Sequence, residues 1–570
     1  MSRLDRALTA AAAGLLAVLG FLPLADWIPG GLGVPGWRDR LDAWWSGTLV
    51  VAGAGLVIAI LSRRIPRLAS TAPLAAVAAS WNAQPARWTL GLAAAGFALY
   101  LAVALGVHSG RPLFIDEIVQ VVQARIFAGG SLTAPAGAHP EFLWNSLMLE
   151  RDGRAFSQFP AGGPGMLALG SLAGSEWIVG PLFGAVSAGV FAVLARRIEA
   201  RAGVACAAAC LFAFAPFVGF MSGSHMNHVS LLTWVLLGCL GLERLTSGAG
   251  RAGWGVLAGL GFGVAATIRP ADAAAFAVPA AVWLLARAVR RGGWGPVLAA
   301  GLAFAVPVGA QLWINARTTG APLLFGYVAN WGPEHALGFH RTPWGEMHTP
   351  GRGLQLLNIY FLRLQSHLLE LPVPSLLPAT LALVMTRRLA PFDRYLLASA
   401  AALTGTYLAW WHDGDYLGPR FLYPLAPVLA LWTARAVPLL SERLQAPLAR
   451  RTLGFGTVTA LIVGVTVLIP HRAREYRNGL GPLRRDPDRA AAAAGVRDAI
   501  VFVRESWGSQ LLARMWAAGV TRSDAERFHR RADACALEQT LDSIEMSGAR
   551  GQPATERIRL LLADSARVVR

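Results

Sequence analysis

The chain has 570 residues, of which 55% are hydrophobic and only 15% charged. Soluble domains carry nearer a quarter of charged residues, so this balance excludes a water-soluble enzyme and a disordered chain. The formal charge of +18 would suggest nucleic acid in a soluble protein; here it reflects arginine-rich loops facing the cytoplasm and anionic lipid, and no nucleic-acid partner is expected.

In chain order, the N-terminus MSRLDRALTAAAAGLLAVLGFLPLADW has a basic start and an apolar core. A signal peptide looks similar, but no small-residue cleavage site is clear, and the segment reads as a first span. Further spans are predicted near 43–62, 88–108, 177–195, 203–221, 228–243, 254–269, 271–287, 296–315, 371–386, 395–411, 421–438 and 453–470. Together these make about 13 transmembrane helices, each long enough to cross a hydrocarbon core of roughly 30 Å. The fold class is therefore an α-helical polytopic membrane protein with a small C-terminal extramembrane domain, α/β or helical.

Arginine placement predicts sidedness. With the N-terminus in the cytoplasm, the short inner loops hold Arg63, Arg64 and Arg67; Arg196, Arg197 and Arg201; Arg244 and Arg251; Arg287, Arg290 and Arg291; Arg387, Arg388 and Arg394; and Arg443, Arg450 and Arg451. That is the positive-inside pattern. It predicts a multi-pass protein of the inner (cytoplasmic) membrane, with outer loops 109–176 and 316–370 and the tail from 471 to 570 outside. The run 161–174 is too short and glycine-rich to span and reads as a helix lying at the outer face. Glycines 255, 259 and 263, four apart, predict close helix packing. In the tail, Ala499 to Val503 reads as a strand, followed by helices around 508–519 and 523–545. The four cysteines show no zinc or disulfide pattern, and neither a catalytic metal nor a cofactor is expected.

The groups that could do chemistry cluster at predicted outer boundaries. Asp116 and Glu117 follow the span ending near His108 and open an amphipathic helix. Adjacent acids near lipid are costly unless solvated, paired or used; a plain acidic first turn is the structural alternative. His225 and His228 flank Asn227 at another outer boundary, and are read as interface histidines, as substrate hydrogen-bonders or as a metal pair. The loop Phe325 to Leu354 concentrates Tyr327, Trp331, His335, His340, Trp344 and His348, with Glu334 and Glu346, a composition that suits a sugar-binding lid. Interface aromatics also simply anchor membrane proteins.

Two motifs carry a resemblance. The early Asp-Glu pair and the turn Gln158-Phe159-Pro160-Ala161-Gly162 resemble the first outer loop of GT-C glycosyltransferases, and the next span, ending in the basic turn from Arg196 to Arg201, fits the same pattern. The segment Trp410 to Leu431, with Arg420, Phe421, Pro424 and Pro427, is similar to the Gly-x-Arg-Phe-x-x-Pro-x-x-Pro segment of polyprenyl-phosphate-sugar transferases. The nearest branch is the protein O-mannosyltransferase and aminoarabinose transferase superfamily. The resemblance runs from about 88 to 438, leaving two extra N-terminal spans in residues 1–87 and a GT-C-like catalytic domain over 88–470. The turn has one proline where relatives often have two, and Ser222 to Ser230 lacks their Arg-Pro-Asp pattern.

The resemblance implies transfer of a sugar from a membrane-embedded polyprenyl-phosphate donor to a hydroxyl of a glycolipid, glycan or protein outside the membrane. The acceptor needs a base within hydrogen-bond reach: Asp116, or else Glu117. The departing phosphate needs fixed cations, and arginine's planar fork suits it: Arg420 and Arg269. His225, His228, Tyr327, Trp344 and His348 are the candidate substrate contacts. For Arg420 the competing reading is an ion pair with Asp413 or Asp415; for Arg269 it is a snorkelling anchor. A transporter or flippase of lipid-linked sugars is the alternative function, since such proteins also combine many spans with charge. They usually hold it at mid-membrane, however. An inactive scaffold that binds lipid-linked sugars is a third.

Overall fold

The computed structural model describes residues 3–29, 36–65, 72–136, 145–248, 251–479, 487–499 and 507–568. Long apolar runs become helices because backbone groups without water must bond within their own segment. The principal helices are α1 (Arg3–Phe21), α2 (Trp37–Leu61), α3 (Pro85–Gly106), α4 (Ile115–Ala128), α5 (Gly162–Ser171), α6 (Val179–Ile198), α7 (Ala202–Phe214), α8 (His228–Thr246), α9 (Ala252–Ile268), α10 (Pro270–Arg291), α11 (Trp294–Thr318), α12 (Gly326–Trp331), α13 (Pro350–His367), α14 (Leu377–Met385), α15 (Pro391–Leu408), α16 (Ala426–Arg443), α17 (Pro447–Val463), α18 (Trp507–Ala517), α19 (Arg522–Arg531), α20 (Ala534–Ser547) and α21 (Gln552–Val568).

Among the described residues, 8 helices are long and apolar enough to cross a membrane, or 9 if α7 and the following Pro216–Ser222, bent by 46°, form one crossing. The protein is polytopic, but the count of about 13 is not reached by that test. Three of the other predicted spans miss it for local reasons. Helix α9 has 17 residues and stops where Pro270 follows. Helix α14 has 9 residues. Helix α15 carries Asp393 and Arg394 in its first turn.

The chain divides into two compact units. The first comprises Met1–Pro112, Ala161–Gln311 and Pro350–Gly479. Its helices meet at small residues. A Cβ on Gly255 would lie 2.3 Å from the Pro296 carbonyl oxygen, and one on Gly259 would lie 2.1 Å from that of Ala300. The glycine stripe of α9 is thus the seat of α11, the packing that its spacing predicts. Several buried charges inside this unit are paired. Arg435 donates to Glu199 at 2.8 Å and to Asp393 at 2.9 Å, and Arg394 grips Asp5 of α1 with two bonds. Asn358 of α13 accepts from Ala25 N and donates to the Leu19 and Leu22 carbonyls. It thereby satisfies the backbone groups freed where α1 ends near Pro23.

The second unit comprises Leu113–Pro160, Leu312–Thr349 and Leu480–Arg570. Helix α4 is followed by a three-stranded antiparallel sheet, β1 (Ala134–Pro135), β2 (Met148–Arg151) and β3 (Arg154–Ser157), in the order β1-β3-β2. The β2–β3 hairpin turns on Asp152 and Gly153, both with positive φ, the two-residue turn that an Asp-Gly pair favours. In the tail, α18 to α21 close around Leu511, Met515, Phe528, Leu537, Leu541 and Ile558. The Thr521 and Asp533 side chains cap α19 and α20, satisfying N-terminal N–H groups. The strand expected from Ala499 to Val503 lies, beyond Ala499, outside the described residues.

Candidate functional site

In the first unit the site is organised by one aromatic ring. Helix α15 ends at Leu408, and the chain turns through Trp410 to Pro419 into a 3-10 turn, Arg420–Leu425. Gly414 permits this path: a Cβ there would lie 2.2 Å from the Phe421 ring. Phe421 is 5% exposed. Tyr407 stacks on it at 4.8 Å and 7°, and His228 lies over it at 6.4 Å and 29°. The guanidinium carbons of Arg269 and Arg420 each lie 5.4 Å from its centroid, within cation–π range.

Each cation is placed by local structure. Arg269 is extended (φ −144, ψ 91) between α9 and α10, where Pro270 starts the next helix. Its guanidinium pairs with Asp272, three residues on, and donates to the Tyr407 hydroxyl at 3.0 Å; that hydroxyl in turn donates to Asp272. Asp272 is 1% exposed. Arg269 is therefore a half-buried residue paired with a buried acid, which favours a structural ion pair over a snorkelling anchor. Arg420 is 5% exposed, with Nη1 at 3.9 Å from the Met226 sulfur. Asp413 and Asp415 form their ion pairs with Arg363 of α13, at 2.5 and 3.5 Å, so the pair expected between them and Arg420 is not the one formed.

His228 opens α8 and is 2% exposed. Neither of its ring nitrogens has a hydrogen-bond partner among the described residues, and Arg269 and Arg420 both lie within electrostatic reach. Buried polar atoms are nearly always bonded, so two orphaned nitrogens within electrostatic reach of two cations mark a place where a polar ligand group would be satisfied. His225, also buried, lines a small cavity with Met166, Phe183 and Asn227. The structure thus separates the two histidines by surroundings. Among the described residues no three His, Cys, Asp or Glu side chains converge as a metal site would need.

The second unit holds the remaining candidates. Glu117, 1% exposed, accepts from the backbone N–H of Leu113 at 2.8 Å and of Phe114 at 3.1 Å. It caps its own helix. Asp116, beside it in the first turn of α4, is half-buried. The plain capping reading applies to Glu117. Gln158 accepts from Asn330 at 2.8 Å and from the Trp331 indole at 2.7 Å, tying α12 to the end of β3. Tyr327 sits edge-on to Phe159 at 5.6 Å and stacks on His335 at 5.3 Å. The His348 ring is buried against Phe339 at 5.5 Å, and the His348 backbone N–H donates to the His340 carbonyl. Trp344 lies in the turn between them, half-buried, and Arg531 of α19 holds that turn by donating to the Gly345 carbonyl at 3.0 Å.

The residues that sequence reasoning missed are Tyr407, Asp272 and Arg363. Asp272 carries a weak signal, three residues after Arg269 at a helix start. Tyr407 and Arg363 reach their partners across 135 and 50 residues, and no local pattern shows that.

No protein-family model matches the chain, and no curated protein matches it. Solved structures do show a likeness. ArnT from Cupriavidus metallidurans, bound to undecaprenyl phosphate, aligns with 15% identity and a TM-score of 0.45, over 84% of this chain and 72% of that one. The Archaeoglobus fulgidus oligosaccharyltransferase in its apo form aligns with 12% identity and a TM-score of 0.39, over 76% of this chain and 58% of that one. Its complex with Zn and sulfate gives 12% and 0.36, over 73% and 56%. Both proteins are GT-C glycosyltransferases, the class that the sequence motifs resemble. At these scores and identities the likeness assigns no activity to this chain.

Proposed function

We propose that this protein is an integral-membrane glycosyltransferase of the cytoplasmic membrane. In this reading it moves a sugar from a polyprenyl-phosphate donor to an acceptor hydroxyl on the outer face. The observation that carries the proposal is the Phe421 site: two arginines and a buried histidine with unpartnered ring nitrogens gathered on one ring. Burying an unpartnered imidazole is costly unless a ligand completes it, and a phosphate is a ligand that an imidazole N–H beside two guanidiniums fits.

In the proposed reaction the acceptor oxygen bonds to the anomeric carbon of the sugar. The bond from that carbon to the donor's phosphate oxygen breaks, and the phosphate leaves with the electron pair. Arg269 and Arg420 stabilise the charge that develops on it. Asp116 takes the acceptor's proton, since Glu117 is committed to capping α4. Tyr327, Trp344, His348 and His225 are proposed substrate contacts.

The test is sugar transfer in liposomes from a panel of polyprenyl-phosphate sugars to hydroxyl acceptors, with wild type and Asp116→Asn compared. The reading predicts that wild type consumes one donor and that the folded variant does not. If no donor is consumed while lipid-linked sugar crosses the bilayer, the transferase reading is lost. If the variant matches wild type, Asp116 is not the base.

A further inference from the structure

The turn that delivers Arg420 is itself acidic, with Asp413 and Asp415 within seven residues of the cation. A carboxylate near a guanidinium competes directly with a phosphate for it, so something must hold these two acids elsewhere. Helix α13 does so at two points on one face. The Tyr360 hydroxyl donates to the His412 carbonyl, and its ring stands edge-on to Phe421 at 5.9 Å. One turn later, Arg363 donates to both oxygens of Asp413, at 2.5 and 3.2 Å, and its Nε lies 3.5 Å from Asp415. Residues three apart on a helix share a face, so the tyrosine and the arginine grip the same strand of the turn.

The acid pair is poorly explained as a device for stability. The Asp413 and Asp415 side chains are 47% and 45% exposed, and ion pairs of that exposure contribute little. Their electrostatic neighbours are more informative. Asp415 lies within electrostatic reach of Arg363, Arg40 and Arg420. Without Arg363, Asp415 would be left with Arg40 and Arg420 among its nearby cations.

We propose that Arg363 is a positioning residue that holds Asp413 and Asp415 away from Arg420, so that they do not compete with the donor phosphate for its guanidinium. This inference rests on the reading of the Phe421 site as a phosphate site. It assigns Arg363 no contact with substrate. Its effect runs entirely through the two aspartates, so it disappears when they are neutral.

The experiment measures equilibrium binding of undecaprenyl phosphate to the purified full-length protein in detergent micelles. Four forms are compared: wild type, Arg363→Gln, Asp413→Asn/Asp415→Asn, and the triple variant combining all three changes. Thermal unfolding confirms that each is folded. Arg363→Gln is expected to bind about tenfold more weakly, or roughly 1.4 kcal/mol. The triple variant is expected to return to within about threefold of wild type, because the competing carboxylates are gone. A merely structural role for Arg363 would leave the triple variant as weak as the single one, and that result overturns the proposal. So does an Arg363→Gln variant that binds like wild type. If Arg363→Gln does not fold, the triple variant decides: binding within about threefold of wild type shows that Arg363 is dispensable once the acids are neutral and supports the proposal, and binding about tenfold weaker refutes it. Failure of wild type itself to bind the lipid would instead overturn the phosphate reading of the site.

Discussion

Replacing Arg269 with glutamine separates the two duties that the structure gives this residue. Arg269 is the ionic partner of Asp272, which is 1% exposed and whose other partner is the neutral Tyr407 hydroxyl. With the guanidinium gone, a carboxylate stays buried without a countercharge. Breaking a buried pair from one side costs about 3–5 kcal/mol. Neutralising the acid as well, in Arg269→Gln/Asp272→Asn, leaves a hydrogen-bonded amide pair and should recover most of that loss, to within about 1–2 kcal/mol of wild type. Phosphate recognition should not recover, because one of the two cations is still missing. The assays are thermal unfolding and undecaprenyl-phosphate binding, both in micelles. Two results would refute the reasoning: a single variant that loses less than about 1 kcal/mol, or a double variant that regains stability and binding together.

Other outcomes follow from the same geometry. His228→Phe fills the same space and removes two orphaned nitrogens, so unfolding stability should hold or rise slightly while undecaprenyl-phosphate binding weakens about tenfold; loss of stability with unchanged binding would make His228 a packing residue. Glu117→Gln should lower stability by about 1 kcal/mol through its weakened cap, with turnover retained, whereas Asp116→Asn should lower turnover by about 100- to 10,000-fold with unfolding unchanged; the reverse pattern would exchange their roles. Gly259→Leu should cost stability, since even a Cβ there meets the Ala300 carbonyl at 2.1 Å and overpacking typically costs about 1–3 kcal/mol. Burial and the nearby Arg472, Arg40 and Arg363 push the His367 imidazole down to about 3 from its ordinary 6.5. Between those values the unfolded chain holds more protons, so stability should rise with pH across that window and be lost as pH falls through it. His367→Asn should flatten that slope in unfolding measured from pH 4 to 7.

The sequence carried the membrane class and much of the Phe421 site, and the reasons are local. Long apolar runs have only one solution in lipid, and the spacing of Gly255, Gly259 and Gly263 announces a packed face. Arg269 beside Pro270 and Arg420 beside Phe421 stand out because arginine at an apolar boundary demands a reason. The span count was less legible. A hydropathy run does not reveal the bend between α7 and Pro216, nor how short α14 is between its breaks. Roles within pairs were hidden too. Adjacent Asp116 and Glu117 look equivalent as letters, yet the third position of α4 places Glu117 to reach back to its own N-terminus. Long-range partners left no trace: Tyr407 beside Asp272, and Arg363 in place of Arg420 as partner of Asp413.

The central claim is that the Phe421 site recognises a lipid-borne phosphate. The most direct measurement compares binding of undecaprenyl phosphate with that of undecaprenol, which has the same tail and no charge, to wild type and to Arg420→Gln. The account predicts that wild type prefers the phosphate by at least about tenfold and that the preference collapses in the variant, with undecaprenol binding unchanged. Equal affinity of wild type for both lipids, or a preference that survives in Arg420→Gln, would contradict it.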